Sequence, residues 1–328
     1  MCPSNIITDK EVLLILRGKN KGKSNTFTFV SLLLLVSLAL YFLVLEPLVF
    51  NKTVYKDYGS AGTYIREQMA QSKSPIKFTC NTTEYNMIVG TKYVMEHILI
   101  ETVVHTGVPA EGDHLCFRIG EVISNSSKKE LKDGSDDITF SFNVNYRTTA
   151  KQEEELAAKA AEILSSLNID GASDYDKVLA IYNYICRNVT YDYEHLEDGS
   201  YKLKDTAYGT AYAAAINNTA VCAGIADLFY YLANSAGLDA RIDTNSNHAW
   251  NFVKVDGKYY YIDATWDLGK SEDEYEFFLK GWADFEYHMG NIDFGPDEYI
   301  NYLNHSDLGY DFSDYAYGYD PYPLLQTP

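Results

Sequence analysis

Cys222, His248 and Asp263 follow one another in the C-terminal half of the chain, and their types are those of a thiol acyl-transfer centre. A thiol becomes a strong nucleophile when a base takes its proton, and the base works best when a carboxylate fixes its ring. The surroundings of each residue decide whether the three can meet. From Ala223 onward, Ile225, Leu228, Phe229, Leu232, Ala233 and Ala236 recur at helical intervals, and Gly237 supplies a stop. Thr219 is the expected cap, which puts Cys222 in the first turn. There the unpaired N–H groups and the positive end of the helix dipole favour thiolate over thiol. The same amides can contribute to an oxyanion hole.

His248 and Asp263 flank a hairpin. Asp256-Gly257 between β-rich runs is a two-residue turn signal. Pairing Val255 with Lys258 sets Trp250 against Asp263 and His248 against Thr265, so that His248, Trp250, Phe252, Tyr261, Asp263 and Thr265 share one face. His248 and Asp263 are then diagonal neighbours, roughly 7–8 Å apart at the backbone, within reach of each other's side chains. Trp250 and Trp266 read as core or cleft walls. His97, His105, His114, His195 and His305 show no partner pattern.

Around these residues the stretches VCAGIADLFYYLANSAGLDARI, NHAWNFVKVDGKYYYIDATWD and SDYDKVLAIYNYICRNVTYDY resemble the transglutaminase-like superfamily, from about Thr148 to about His288. The resemblance implies a papain-like α+β core in which a cysteine-bearing helix packs on an antiparallel sheet bearing the other two residues. It also implies Cys222 as nucleophile, His248 as general base and Asp263 as its orienting carboxylate. Members of the family include protein cross-linkers, peptidases and amidases. Two positions depart from the family pattern: Ala220 stands where Gly is usual, and Ile225 where Tyr is common. Ala220 would strain a turn that required positive φ, whereas Ile225 suits a packed helix face.

Upstream the composition changes. Phe27 to Leu45 carries no formal charge and as a helix would span roughly 28 Å, close to a bilayer's hydrocarbon core. Lys10, Arg17, Lys19, Lys21 and Lys23 precede it, so the positive-inside bias places the N-terminus in the cytoplasm and the rest outside. The expected organisation is a basic cytoplasmic segment (1–26), a transmembrane signal anchor (27–46), a tether and small β-rich outer domain (47–147), and a transglutaminase-like domain with a Tyr/Asp-rich tail (148–328). In the outer domain IKFTC, YNMIVG, KYVMEHILIETVVHT, HLCFRIGEVI and DITFSFNVNYRTT read as strands. Thr149 with Gln152 forms a capping box for a helix through Leu167, and Ser173 starts another through about Asn188.

The net charge of −19 argues against nucleic acid as a partner. Cys80 and Cys116 can form a disulfide or remain two core thiols, and Cys186 reads as packing. No CxxC or clustered histidine spacing points to a metal, and no cofactor is expected. The partners expected are a peptide or protein substrate at the cell surface and the membrane itself, through residues 27–46. The functional reading is a membrane-anchored, extracytoplasmic cysteine acyltransferase or peptidase, with hydrolysis and transamidation both open. The alternative is a surface binding or scaffold protein that uses the fold without turnover.

Overall fold

Local sequence signals account for most of the elements around the candidate centre in this computed structural model, which describes residues 53–83, 90–202, 206–245, 247–289 and 317. The proposed anchor, residues 27–46, lies outside the described residues, as do YNMIV and nearly all of the C-terminal tail. Among the described residues no helix is long and apolar enough to cross a membrane.

The chain from Val54 onward makes one compact unit. Its first elements are β1 (Val54–Tyr55), α1 (Tyr58–Ala70), β2 (Ile76–Thr82), α2 (Gly90–Thr102), α3 (Asp113–Arg118), β3 (Ile119–Glu130) and β4 (Asp136–Tyr146). They form a four-stranded sheet in the order β1-β2-β4-β3. Strand β4 alternates buried and part-exposed residues, with Ile138, Phe140, Phe142 and Val144 turned into the core against Ile65, Val94 and Ile98.

Two strand expectations fail in this lobe. Residues 90–102 form α2, because Val94, Ile98 and Thr102 recur every four residues and are buried on one side. That helical stripe overrides the β-branched character of the run. HLCFR belongs to the short helix α3, and only the residues after Arg118 extend into β3. The lobe is therefore mixed α and β.

The second part begins with α4 (Ala150–Leu167) and α5 (Asp174–Asn188). Both bonds of the Thr149/Gln152 capping box are present, and Ser173 caps α5 by accepting from the Asp176 amide. Next come β5 (Thr190–Tyr191), α6 (Tyr193–Glu197), a π-turn at Ala213–Asn217, β6 (Thr219–Ala220) and α7 (Cys222–Ser235). A three-stranded antiparallel sheet follows, β7 (Ala240–Thr244), β8 (Ala249–Val255) and β9 (Lys258–Ile262), and then α8 (Trp282–Met289).

Helix α7 is buried on nearly every side, as expected of a helix that is apolar all round. Ile225, Leu228, Phe229 and Leu232 join the core built with α4 and α5, while Ala226 and Tyr230 pack toward Ile242 and Ala249 of the sheet. Asn251 Nδ2 donates to the Ala226 and Arg241 carbonyls at 3.0 Å each, pinning sheet to helix. The two parts of the unit are joined by buried charge. Arg241 makes a two-pronged bond to Asp113 at 2.8 Å on each arm. His114 bridges Asp227 of α7 and Glu153 of α4 at 2.9 Å each. Burial alone would keep His114 neutral, but the neighbouring Asp227 and Glu153 raise it to about 9.

Candidate active site

The three candidate residues converge at the N-terminal end of α7. Cys222 is the first residue of that helix, after Val221 at the cap position with no side-chain capping bond. Thr219 is not the cap; it pairs with Thr190 in the short parallel β5–β6 bridge. Ala220, in the same bridge, adopts no positive φ, and its side chain is fully buried. The departure from glycine at that position therefore costs no backbone strain. The close approach falls instead on Gly224, where an added Cβ would lie 2.8 Å from the Thr210 carbonyl oxygen and 2.9 Å from the Ala220 Cβ.

The hairpin has the expected register, Val255 with Lys258 through Asn251 with Ile262. Asp256 and Gly257 both take positive φ, 51° and 86°, as a tight two-residue turn demands. The ladder ends at Asn251/Ile262, so His248 and Asp263 stand just beyond it at the open end of the hairpin. Trp250, Phe252 and Tyr261 cluster on one face, as the pairing implies.

At that open end His248 Nε2 lies 2.5 Å from Asp263 Oδ2. The Cys222 thiol is within hydrogen-bonding reach of the same imidazole. With Nε2 committed to Asp263, Nδ1 is the nitrogen left to face the sulfur. Burial disfavours a charged His248, yet the hydrogen bonds to Asp263 and Cys222 and the charges of both outweigh it and raise His248 to about 10. The state favoured for this ring is thus imidazolium held against the Asp263 carboxylate.

The backbone around each group is fixed. Asn245 Oδ1 accepts from the His248 amide at 2.8 Å and the Asn247 amide at 3.1 Å, shaping the turn that delivers the imidazole. Asp263 is 1% exposed; its Oδ1 accepts from the Thr265 amide at 2.9 Å, and its carbonyl accepts from the Tyr182 hydroxyl at 2.9 Å. That hydroxyl also lies 2.7 Å from Asp267 Oδ2, so its one proton is shared between the two acceptors, and Asp267 accepts from the Phe277 and Glu276 amides as well. Tyr182, Asn245 and Asp267 thus support the centre without belonging to it. Sequence reading does not single them out, because their partners lie on other elements.

Trp266, 58% exposed, stands edge-on to His248 with Nε1 3.1 Å from Nε2. One ring nitrogen cannot both donate to Asp263 and accept from an indole. The shorter, charge-assisted contact to the carboxylate is the bond, and Trp266 acts as a wall. A groove of about 830 Å³ opens along this wall, lined by His248, Trp266, Tyr193, Leu196, Val189 and Arg187 among others. Cys80, Cys116, Cys186 and Cys222 are all free thiols. Burial raises Cys116 beyond the ordinary thiol range and Cys186 to about 12, which leaves both inert at neutral pH. Among the described residues no group of histidine, cysteine and acidic side chains is placed to hold a metal.

Residues 161–264, which contain all three candidate residues, match the sequence model of the Transglutaminase-like superfamily. The chain carries a transglutaminase-like domain. A curated relative is Kyphoscoliosis peptidase of Mus musculus, 26% identical over 124 residues, which make up 33% of this chain and 18% of that protein. The match thus spans less than a fifth of the relative's length. A solved structure described as "Crystal structure of a TGase" aligns with 64% of this chain and 58% of its own, at 17% identity and a TM-score of 0.32. Inside the transglutaminase-like domain the cysteine helix packs against the sheet that carries the hairpin; of the histidines left unassigned, His305 lies outside the described residues and the others have partners. His105 contacts Asp239 at 3.2 Å, His195 contacts Asp192 at 2.6 Å, and His97 caps the Tyr93 carbonyl at 2.9 Å.

Proposed function

We propose that this protein is a thiol acyl-transfer enzyme acting on amide or peptide bonds through Cys222, His248 and Asp263. The observation that carries the reading is the part-buried Asp263–His248 contact of 2.5 Å, with Cys222 beside the same ring at a helix N-terminus. Cys222 Sγ attacks the carbonyl carbon, and the amides of the first turn of α7 stabilise the oxyanion. His248 then gives its proton to the departing nitrogen, leaving an acyl thioester. Water or an amine attacks the thioester with His248 as base, and the thiolate–imidazolium pair is restored. Asp263 holds the ring throughout and remains ionised.

The anchor at residues 27–46 and an extracytoplasmic position belong to the same proposal, supported by the apolar run and its basic N-terminal flank. The substrate is then a peptide or protein met outside the cell. Labelling intact cells with a membrane-impermeant amine reagent reads the topology: lysines after residue 46 are modified, and exclusive modification of those before residue 27 reverses the assignment.

The chemistry is tested by iodoacetamide alkylation of Cys222 in the purified full-length protein, followed by peptide mass spectrometry. Cys222 is expected to react at about pH 6, where an ordinary thiol is almost wholly protonated, and His248→Ala is expected to abolish that reaction. Slow alkylation that ignores His248 would mean the fold serves binding without turnover.

A further inference from the structure

The groove beside His248 differs from the rest of this acidic molecule. In a chain with 46 acidic and 27 basic residues, none of the described residues lining it is Asp or Glu, and Arg187 is its permanent charge. Val189 is buried in its floor, while Leu196, Tyr193 and Trp266 remain 36%, 66% and 58% exposed along its sides. Exposed apolar surface gathered around one concave site marks a place where something binds.

His248 and Trp266 line the groove and Cys222 does not. In amide cleavage the imidazolium gives its proton to the departing nitrogen, so the departing amine lies on the imidazole side of the sulfur, and the groove is the concave surface that continues from the imidazole. We propose that the groove holds the amine side of the reacting bond and selects an amine component with an aromatic or aliphatic side chain followed by an anionic group. The side chain packs between Trp266 and Leu196, and the anion faces Arg187. This deepens the acyl-transfer reading and rests on it. By microscopic reversibility the amine that attacks the thioester uses the same groove. Lysine-bearing acceptors are then disfavoured, and the outcome shifts toward cleavage ahead of apolar–acidic sequences and away from lysine cross-linking.

Arg187 also sits in the last turn of α5, where a cation suits the helix dipole. That role leaves the guanidinium donors free for a carboxylate, since Arg187 is exposed.

The test uses the full-length protein acylated with p-nitrophenyl acetate. Cys222 Sγ attacks the ester carbonyl, p-nitrophenolate leaves, and an acetyl thioester remains, identified on the Cys222 peptide by mass spectrometry. Breakdown of that thioester is then timed with added phenylalanyl-aspartate or phenylalanyl-lysine amide. As the amide bond forms, the C–S bond breaks and the amine proton passes to His248. The aspartate peptide is expected to accelerate breakdown about fivefold more than the lysine peptide, the scale of one exposed charge contact attracting the first and repelling the second. Arg187→Glu is expected to reverse that order, and Arg187→Gln to erase it. Equal acceleration by both peptides, preference for lysine, or an order unmoved by either variant would overturn the groove assignment while leaving the acyl-transfer reading intact. Absence of the acetyl group from Cys222, or its formation regardless of His248→Ala, removes the acyl-transfer reading itself and this inference with it.

Discussion

Replacing Asp263 by Asn should lower the titration of His248 by roughly 2 pH units, the worth of a charge-assisted hydrogen bond together with loss of the facing charge. In the intact protein three influences meet at this ring: burial lowers it, while Asp263 and Cys222 each raise it through a hydrogen bond and a charge, to about 10. Asparagine keeps the shape of the carboxylate but has one acceptor oxygen. The Thr265 amide, 2.9 Å from Asp263 Oδ1, competes for that oxygen. If the oxygen goes to Thr265, the amide NH2 faces Nε2 and favours the tautomer with its proton on Nδ1, the wrong nitrogen for receiving one from sulfur. Cys222→Ser should produce a smaller fall, because Asp263 contributes the larger hydrogen-bond share. The double variant Cys222→Ala/Asp263→Asn should titrate below the ordinary 6.5, since only burial remains. The assay is the histidine Cε1–H chemical shift against pH in protein labelled at histidine, with His248 assigned by its loss in His248→Gln. The folded value lies above the unfolded one, so the ring's contribution to stability is complete below about pH 6.5 and is lost as pH rises toward about 10. A wild-type His248 titrating near 6.5, or a double variant still titrating above it, would refute the reasoning.

Gly224→Ala should destabilise the fold by about 1–3 kcal/mol in urea unfolding, because the new methyl meets the Thr210 carbonyl and the Ala220 side chain and neither can retreat from the core. Ala220→Gly, which restores the residue usual in the family, should leave Cys222 alkylation unchanged and cost about 0.5–1 kcal/mol, since the position lies in a β-bridge at ordinary φ. Asp267→Asn should cost about 2–4 kcal/mol by disrupting the bonds from Tyr182, Phe277, Glu276 and Lys270. It should also slow Cys222 alkylation through the loosened Asp263 backbone, measurable at a denaturant concentration where the protein stays folded.

What could be read ahead of the structure was local. The Thr149/Gln152 capping box, the Ser173 cap, the 3.6-residue stripe of α7 and the Asp256-Gly257 turn each express their preference within a few residues, and each reappears in place. The register of the hairpin followed from the turn alone, and it brought His248 and Asp263 to one end. Residues 90–102 were misread because β-branched residues and a helical stripe coexist there, and tertiary burial of Val94 and Ile98 decides between them. Nothing near Arg241 announces Asp113, and nothing near Asp227 announces His114. Each such partner comes from a distant element that only the completed fold brings close.

The same distinction explains how the centre is held. Each candidate side chain sits at the end of an element whose interior is strongly specified: Cys222 opens α7, and His248 and Asp263 lie just past the last rung of the hairpin ladder. Ends of elements leave backbone groups unspent, and here those either lack a side-chain cap, as at the start of α7, or are consumed by side chains such as Asn245 and Tyr182. The placing of the three candidate side chains therefore depends on residues outside the trio. Loosening Tyr182 or Asp267 should impair the chemistry while leaving all three reacting groups in the sequence, so matching Cys222, His248 and Asp263 alone cannot establish activity in a related chain.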